Sequence, residues 1–178
     1  MNNKIVKNSP FSQALIGAHQ SQGNTNHCGP MCASMILNAL SLSPRSGFDL
    51  AEDMNRVIWK AGIFPLIRRV PNWATFPWGV ASVLEENGIK SRWKMFHHFD
   101  DLVDNIERQL LTIVIIGSWR PTVWAHYMIV AAYEPERGVG FVNSAHPRAE
   151  LFWMPEDKFK HQWRAFGNQC ILSFPDRR

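Results

Sequence analysis

The stretch Cys28-Gly29-Pro30-Met31-Cys32-Ala33-Ser34-Met35-Ile36-Leu37 decides how this chain is read. A cysteine followed by a small, turn-permissive residue and then an apolar run is a cysteine at a helix N-terminus. There the unpaired N–H groups and the helix dipole favour negative charge, so the thiolate gains over the thiol. Pro30 fits the first turn, where its missing N–H costs nothing. Met31, Met35, Ile36, Ala39 and Leu40 recur at helical spacing and predict a helix over about 29–41. Gln22 stands six residues upstream of Cys28. Far downstream, the apolar run Tyr127-Met128-Ile129-Val130-Ala131-Ala132-Tyr133 begins just after His126, and Asn143 ends a second such run.

Outward from that helix, the N-terminal 1–27 is polar and reads as an extended lead-in segment and loop. Pro44-Arg45-Ser46-Gly47 breaks the first helix. A second is expected from about Asp49, with Leu50, Met54, Val57 and Ile58 on one face, stopping at Gly62. Ile63 to Pro77, with Pro65 and Pro71 inside it, reads as a long irregular connection, of the kind that is usually functional or disordered. A short helix from Trp78 to Asn87 leads into a half-exposed strand, Ile89 to Phe96. Asp100 or Asp101 is placed as the cap of a helix running to Leu110. From there the character changes. Strands are predicted at 112–117, 126–133, 139–142, 150–153 and 169–174, with one brief helix from Pro155 to about Trp163. Helices first and a mostly antiparallel sheet second predict an α+β fold, 28–110 mainly helical and 111–178 mainly β, with a cleft between the halves.

At 178 residues the chain is expected to be a single domain, 1–178. Its 46% hydrophobic and 12% aromatic content suits a packed core rather than disorder. The net charge of +4 is mild, and the basic residues are scattered apart from Arg68-Arg69 and Arg177-Arg178. That excludes the basic stripe of a nucleic-acid binder and reads as a solvated surface. No stretch approaches eighteen apolar residues, so no membrane span is expected. The N-terminus carries no apolar signal-peptide core. Three cysteines do not suggest a disulfide framework, and a cytoplasmic, reducing setting is expected, with leaderless export left open.

The chemistry follows from the side chains. A free cysteine titrates near 8.5, and pairing with histidine at a helix N-terminus can bring it to about 3–4, a difference of roughly 7 kcal/mol. His126, at the mouth of a strand, is placed across the cleft from Cys28 as base and then acid. Asn143 can accept the other imidazole N–H and fix the ring. Gln22 and the backbone N–H of Cys28 can donate to an oxyanion. Trp119 and Trp124, in the loop before His126, are read as a substrate wall or, equally, as an apolar latch over the sheet. His27 is read as a cleft-wall residue.

These residues resemble the papain-like cysteine peptidases. The glutamine-to-cysteine spacing, the Cys28-Gly29-Pro30 helix start and the His126-Tyr127 strand look more specifically like the bacteriocin-processing, double-glycine leader peptidase branch. The resemblance implies a papain-like fold and a cysteine hydrolase acting on a peptide or amide bond through a Cys28 thioester. It also implies the order glutamine, cysteine, histidine, then aspartate or asparagine, which Gln22, Cys28, His126 and Asn143 supply, with Gly29 among the residues beside the substrate. On the family spacing Gln22 is preferred over Gln20. The branch usually places an aspartate before a proline at the third position. Here Val142-Asn143-Ser144-Ala145-His146-Pro147 has none, so Asn143 and Ser144 both stay open. No transporter domain is attached, so a double-glycine leader is not implied.

No metal or organic cofactor is needed for this chemistry. His97 and His98 are adjacent on an expected strand, so they point to opposite faces and make a poor metal pair. Cys32, one turn beyond Cys28, and Cys170, inside a strand, are expected in the core. Two other functions use the same residues: acyl transfer, in which an amine or thiol intercepts the acyl-enzyme, and a binding module that grips a peptide or partner without cutting it.

Overall fold

The apolar run beginning at Leu111 becomes an inner strand of a sheet, and later segments pair on either side of it. The structure, a computed structural model, describes residues 6–42, 44–61 and 64–175. The Gly62 stop of the expected second helix, the Ile63 start of the irregular connection and the Arg177-Arg178 pair lie outside the described residues. In chain order the elements are β1 (Lys7–Asn8), α1 (Ser12–Gly17), α2 (Cys28–Ala39), α3 (Gly47–Asp53), β2 (Val57–Ala61), β3 (Phe64–Ile67), β4 (Arg69–Val70) and β5 (Ala74–Thr75). They continue with α4 (Pro77–Glu86), β6 (Lys90–Lys94), α5 (Phe99–Glu107), β7 (Leu111–Ser118), β8 (Trp124–Glu134), β9 (Gly138–Val142), β10 (Phe152–Met154), α6 (Glu156–Arg164) and β11 (Cys170–Phe174).

Among the described residues, seven strands form one antiparallel sheet in the order β10-β9-β8-β7-β11-β6, with β1 added beside β8. Side chains of a strand alternate between faces, and here each face has its own core. Ile113, Ile115, Tyr127 and Ile129 meet Met31, Met35 and Ile36 of α2 and Val80 and Leu84 of α4. Val114, Ile116, Met128 and Val130 meet Leu102 and Ile106 of α5 and Phe159 and Trp163 of α6. The fold is α+β, with α1 to α4 on one face and the two later helices on the other. A register shift between Val130 and Ala132 bulges β8. The Ala131 carbonyl there takes the N–H of Ser9 at 2.8 Å and the hydroxyl of Ser12 at 2.8 Å, so the N-terminal segment is bonded to the sheet.

Several expected boundaries move, each for a local reason. Residues 1–27 are not simply extended, because α1 buries Leu15 in the α2 core. A helix under two turns long gives too little periodicity to be read. The second helix ends at Asp53, and Val57 and Ile58 begin a strand paired with β3. Their β-branched side chains suit a strand, although their spacing also fits a helical face. The connection expected to be irregular contains β3, β4 and β5. His98, not an aspartate, holds the N-cap of α5, while Asp100 and Asp101 sit in its first turn, where the dipole still favours them.

Gly117 is fixed by a close approach. A Cβ there would collide with the Trp124 carbonyl on the paired strand and with the Phe166 ring. Gly117→Ala is expected to destabilise the fold by about 3 kcal/mol, seen as a lower denaturant midpoint at unchanged slope.

Candidate active site

Cys28 is the first residue of α2 and remains half-buried, as a free thiol. Its sulfur is favoured as an anion by the backbone N–H groups of Tyr127, Gly29 and Cys28 itself. The Tyr127 contact ties the start of β8 to the helix N-terminus, and His126 is the residue immediately before it. The sequence thus brings the thiol and the imidazole-bearing peptide together from opposite ends of the chain.

The His126 ring is held by Asn143. Its Nε2–H donates to Asn143 Oδ1 at 2.7 Å, and the same oxygen accepts the Ala145 N–H at 2.9 Å. A backbone N–H can only donate, so Oδ1 is an acceptor for both and the imidazole proton sits on Nε2. Nδ1 then keeps its lone pair and is the basic atom of the ring. Asn143 itself is 8% exposed, and its carbonyl accepts from His19 Nε2 at 3.1 Å.

Ser144 has a different task. Its hydroxyl donates to Gln22 Oε1 at 2.8 Å, and its carbonyl accepts the Gln22 N–H at 2.9 Å. Asn143 meets the histidine and Ser144 meets the glutamine. Gln22 Nε2 gives one hydrogen to the Thr25 carbonyl at 3.0 Å and has a second to offer. Gln20 has no such freedom. Its Nε2 donates to Ser34 Oγ at 2.6 Å and the Arg45 carbonyl at 3.3 Å, and its Oε1 accepts the Gly47 N–H at 2.8 Å, fastening α2 to the start of α3.

At both Cys28 and His126 the shift runs against the expected thiolate–imidazolium pair. Burial raises the Cys28 thiol above its ordinary range and outweighs the N–H groups and the Arg69 charge that act the other way. Burial likewise lowers His126, against the bond to Asn143. Both effects favour neutral forms, because desolvation penalises whichever form is charged.

The other expected site residues divide. Trp124, 39% exposed, joins Ala125, His126, Met128, Asn143 and Phe152 around an open cavity of about 380 Å³. Trp119 does not. Its indole, 59% exposed, stacks on Phe166 with centroids 5.0 Å apart and donates to the Ala165 carbonyl. Gly29 is buried beneath Thr75, whose Cγ2 would lie 2.9 Å from an added Cβ, which makes it a packing requirement rather than a substrate contact. His27 holds the N-cap position of α2 and packs edge-on against Phe48 at 5.6 Å. Cys32 and Cys170 are fully buried. His97 Nε2 accepts the Asn105 side-chain N–H at 3.2 Å, and among the described residues no cluster of His, Cys, Asp and Glu is arranged to hold a metal. No helix of the described residues is long and apolar enough to cross a membrane.

Three residues near the site carry no legible sequence signal. His19 and Thr75 lie in segments with no motif, and Arg69 belongs to a doublet that reads as surface charge. Thr75 caps the Tyr127 side chain, whose hydroxyl donates to its carbonyl at 2.7 Å.

No protein-family model matches the chain, and no curated protein is significantly similar to it in sequence. Solved structures do match. A C39-like peptidase from Bacillus anthracis superposes with a TM-score of 0.68 at 11% identity, over 90% of this chain and 95% of that one. The peptidase domain of Streptococcus ComA, a bifunctional ABC transporter of a quorum-sensing pathway, gives 0.63 at 15% identity over 88% and 97%. A double-glycine motif protease from an AMS/PCAT transporter, in complex with its leader peptide, gives 0.57 at 10% identity over 89% and 91%. The chain has the fold of these peptidase domains.

Proposed function

We propose that this single domain is a cysteine peptidase, with Cys28 as nucleophile, His126 as general base, Asn143 orienting the ring and Gln22 supporting the oxyanion. The observation that carries the reading is the 2.7 Å bond from His126 to Asn143 beside a peptide whose next N–H, that of Tyr127, meets the Cys28 sulfur. The shared fold with peptidase domains supports it, and the neighbour that holds a leader peptide supports a peptide substrate. Nucleic acid and membrane have no part in this reading. The cytoplasm, where free thiols persist, is the proposed setting.

The chemistry starts from the neutral pair. Nδ1 of His126 takes the thiol proton as the sulfur attacks the substrate carbonyl carbon. The oxyanion accepts the Cys28 N–H and the second Nε2 hydrogen of Gln22. The imidazolium then passes its proton to the leaving amine, the C–N bond breaks, and a thioester remains on Cys28. Water, deprotonated by His126, attacks the thioester. The C–S bond breaks, the sulfur takes the proton back from the imidazolium, and the acid is released.

Incubation with a mixed peptide library, read by mass spectrometry, tests this. New N-termini, together with a transient acyl adduct on Cys28, are the expected result. An adduct that turns over only when an amine is added, giving amide product, would replace hydrolysis by acyl transfer. No cleavage and no adduct would leave a binding module.

The pH profile supplies a further expectation. Hydrolysis needs His126 unprotonated, and burial lowers that group below its ordinary 6.5. The acid limb of kcat/KM is therefore expected at a midpoint below 6.5, with activity retained as pH falls through the usual histidine range. A midpoint above 6.5 would contradict the neutral resting pair.

A further inference from the structure

Arg69 breaks the rule that buried charge is paired. It is 2% exposed, yet among the described residues it has no carboxylate partner. Nη1 donates to the Ala51 carbonyl at 3.1 Å, while Nε and Nη2 are buried with no hydrogen-bond partner. The neighbouring Arg68 behaves ordinarily, reaching Glu86 and Ser82. Arg69 lies opposite Thr75 in the β4–β5 pair, and Thr75 sits directly over Gly29 at the start of α2. Two more buried polar atoms without partners share this place, Thr75 Oγ1 and His27 Nδ1. An uncompensated guanidinium is thus packed behind the helix N-terminus that carries the nucleophile.

We propose that Arg69 is a positioning residue for the thiol: a buried guanidinium set so that its charge is met when the Cys28 sulfur becomes anionic. This deepens the thiol chemistry proposed above and rests on Cys28 being the nucleophile. The titratable groups that act on that sulfur are Arg69 from β4, Cys32 from α2 and Tyr127 from β8, with His126 next in the chain to Tyr127 and His27 next to Cys28 itself. Of these, Arg69 is the permanent cation. His126 and His27 are both held towards neutrality by burial, and the Arg69 charge adds to that at His27. Cys28 and Arg69 each favour the charged form of the other. As the thiol proton leaves for His126, the sulfur's new charge faces a cation already in place. No side chain has to move to supply it.

The test is the rate of alkylation by iodoacetamide between pH 5 and 10, read by intact mass, with Cys28→Ser as the blank for Cys32 and Cys170. Below the midpoint the rate follows the thiolate fraction, so each unit by which the midpoint rises lowers the rate at fixed pH about tenfold. Arg69→Met is expected to move the Cys28 midpoint up by about one to two pH units. Arg69→Lys keeps a cation but gives up the guanidinium's anchor to Ala51, and is expected to stay within about half a unit of the parent. A profile unchanged in Arg69→Met, with only the melting temperature lowered, would show a purely structural arginine and overturn the proposal. If the methionine variant does not fold, the lysine variant decides alone: a midpoint raised by a full unit overturns the proposal, and an unmoved one supports it. Because the readout is thiol ionisation, a failure here is distinct from an absence of peptide cleavage.

Discussion

Cys28→Ala is expected to lower kcat/KM for any cleaved peptide by about ten-thousandfold or more, leaving a fold of nearly unchanged stability. The expectation follows from where the side chain sits. The sulfur is the only atom lost, it is half-buried at the first position of α2, and the N–H groups that face it belong to backbone that stays in place. Removing a nucleophile forfeits the covalent route and leaves only binding and oxyanion contacts to act on water. His126→Ala should cost nearly as much. The double variant should cost no more than either alone, because the two groups act as one unit. Steady-state kinetics on the three variants, with circular dichroism melting as the fold control, checks this. A double variant whose losses multiply would mean that the two residues serve separate steps.

Asn143→Ala is expected to reduce kcat by roughly a hundredfold with little change in KM, and Asn143→Asp much less. The alanine removes the acceptor that places the imidazole proton on Nε2 and leaves the Ala145 N–H unpaired as well. The ring can then adopt the other tautomer and present a proton where a lone pair is needed. The aspartate keeps both acceptor contacts and adds a negative charge. That charge favours the imidazolium, so the His126 midpoint rises, and the acid limb moves to higher pH. The alanine variant should move it the other way, since the bond to Asn143 is the contribution that raises His126 at present. Opposite displacements of the acid limb in two variants at one position would be hard to obtain from a residue that merely filled space.

The strongly patterned parts of this chain were legible in advance. Cys28 at a helix start, the buried strand from Leu111, and the His126 and Asn143 positions at strand ends all follow from periodicity and residue chemistry acting in one direction. What was not legible depends on partners distant in sequence. Val57 and Ile58 fit a helical face as well as a strand, and only pairing with β3 decides between them. The Ser144 contact depends on the Gln22 side chain arriving from 122 residues away. Burial of Arg69 has no local cause at all, since its neighbour Arg68 makes an ordinary ion pair. The direction of the thiol's shift has a related cause. A helix N-terminus is visible in sequence, but the desolvation that outweighs it belongs to the packed whole.

The lead-in segment also changes how this protein can come into being. Ser9 and Ser12 bond to Ala131, His19 to Asn143, and Gln22 to Ser144, so the earliest part of the chain is stitched to strands made late. Pairings this remote close slowly, since loop entropy must be overcome before any contact repays it. During synthesis Cys28 emerges long before His126 and Asn143. On the proposed reading, a nascent chain carries its thiol unarmed until the second half folds back onto the first.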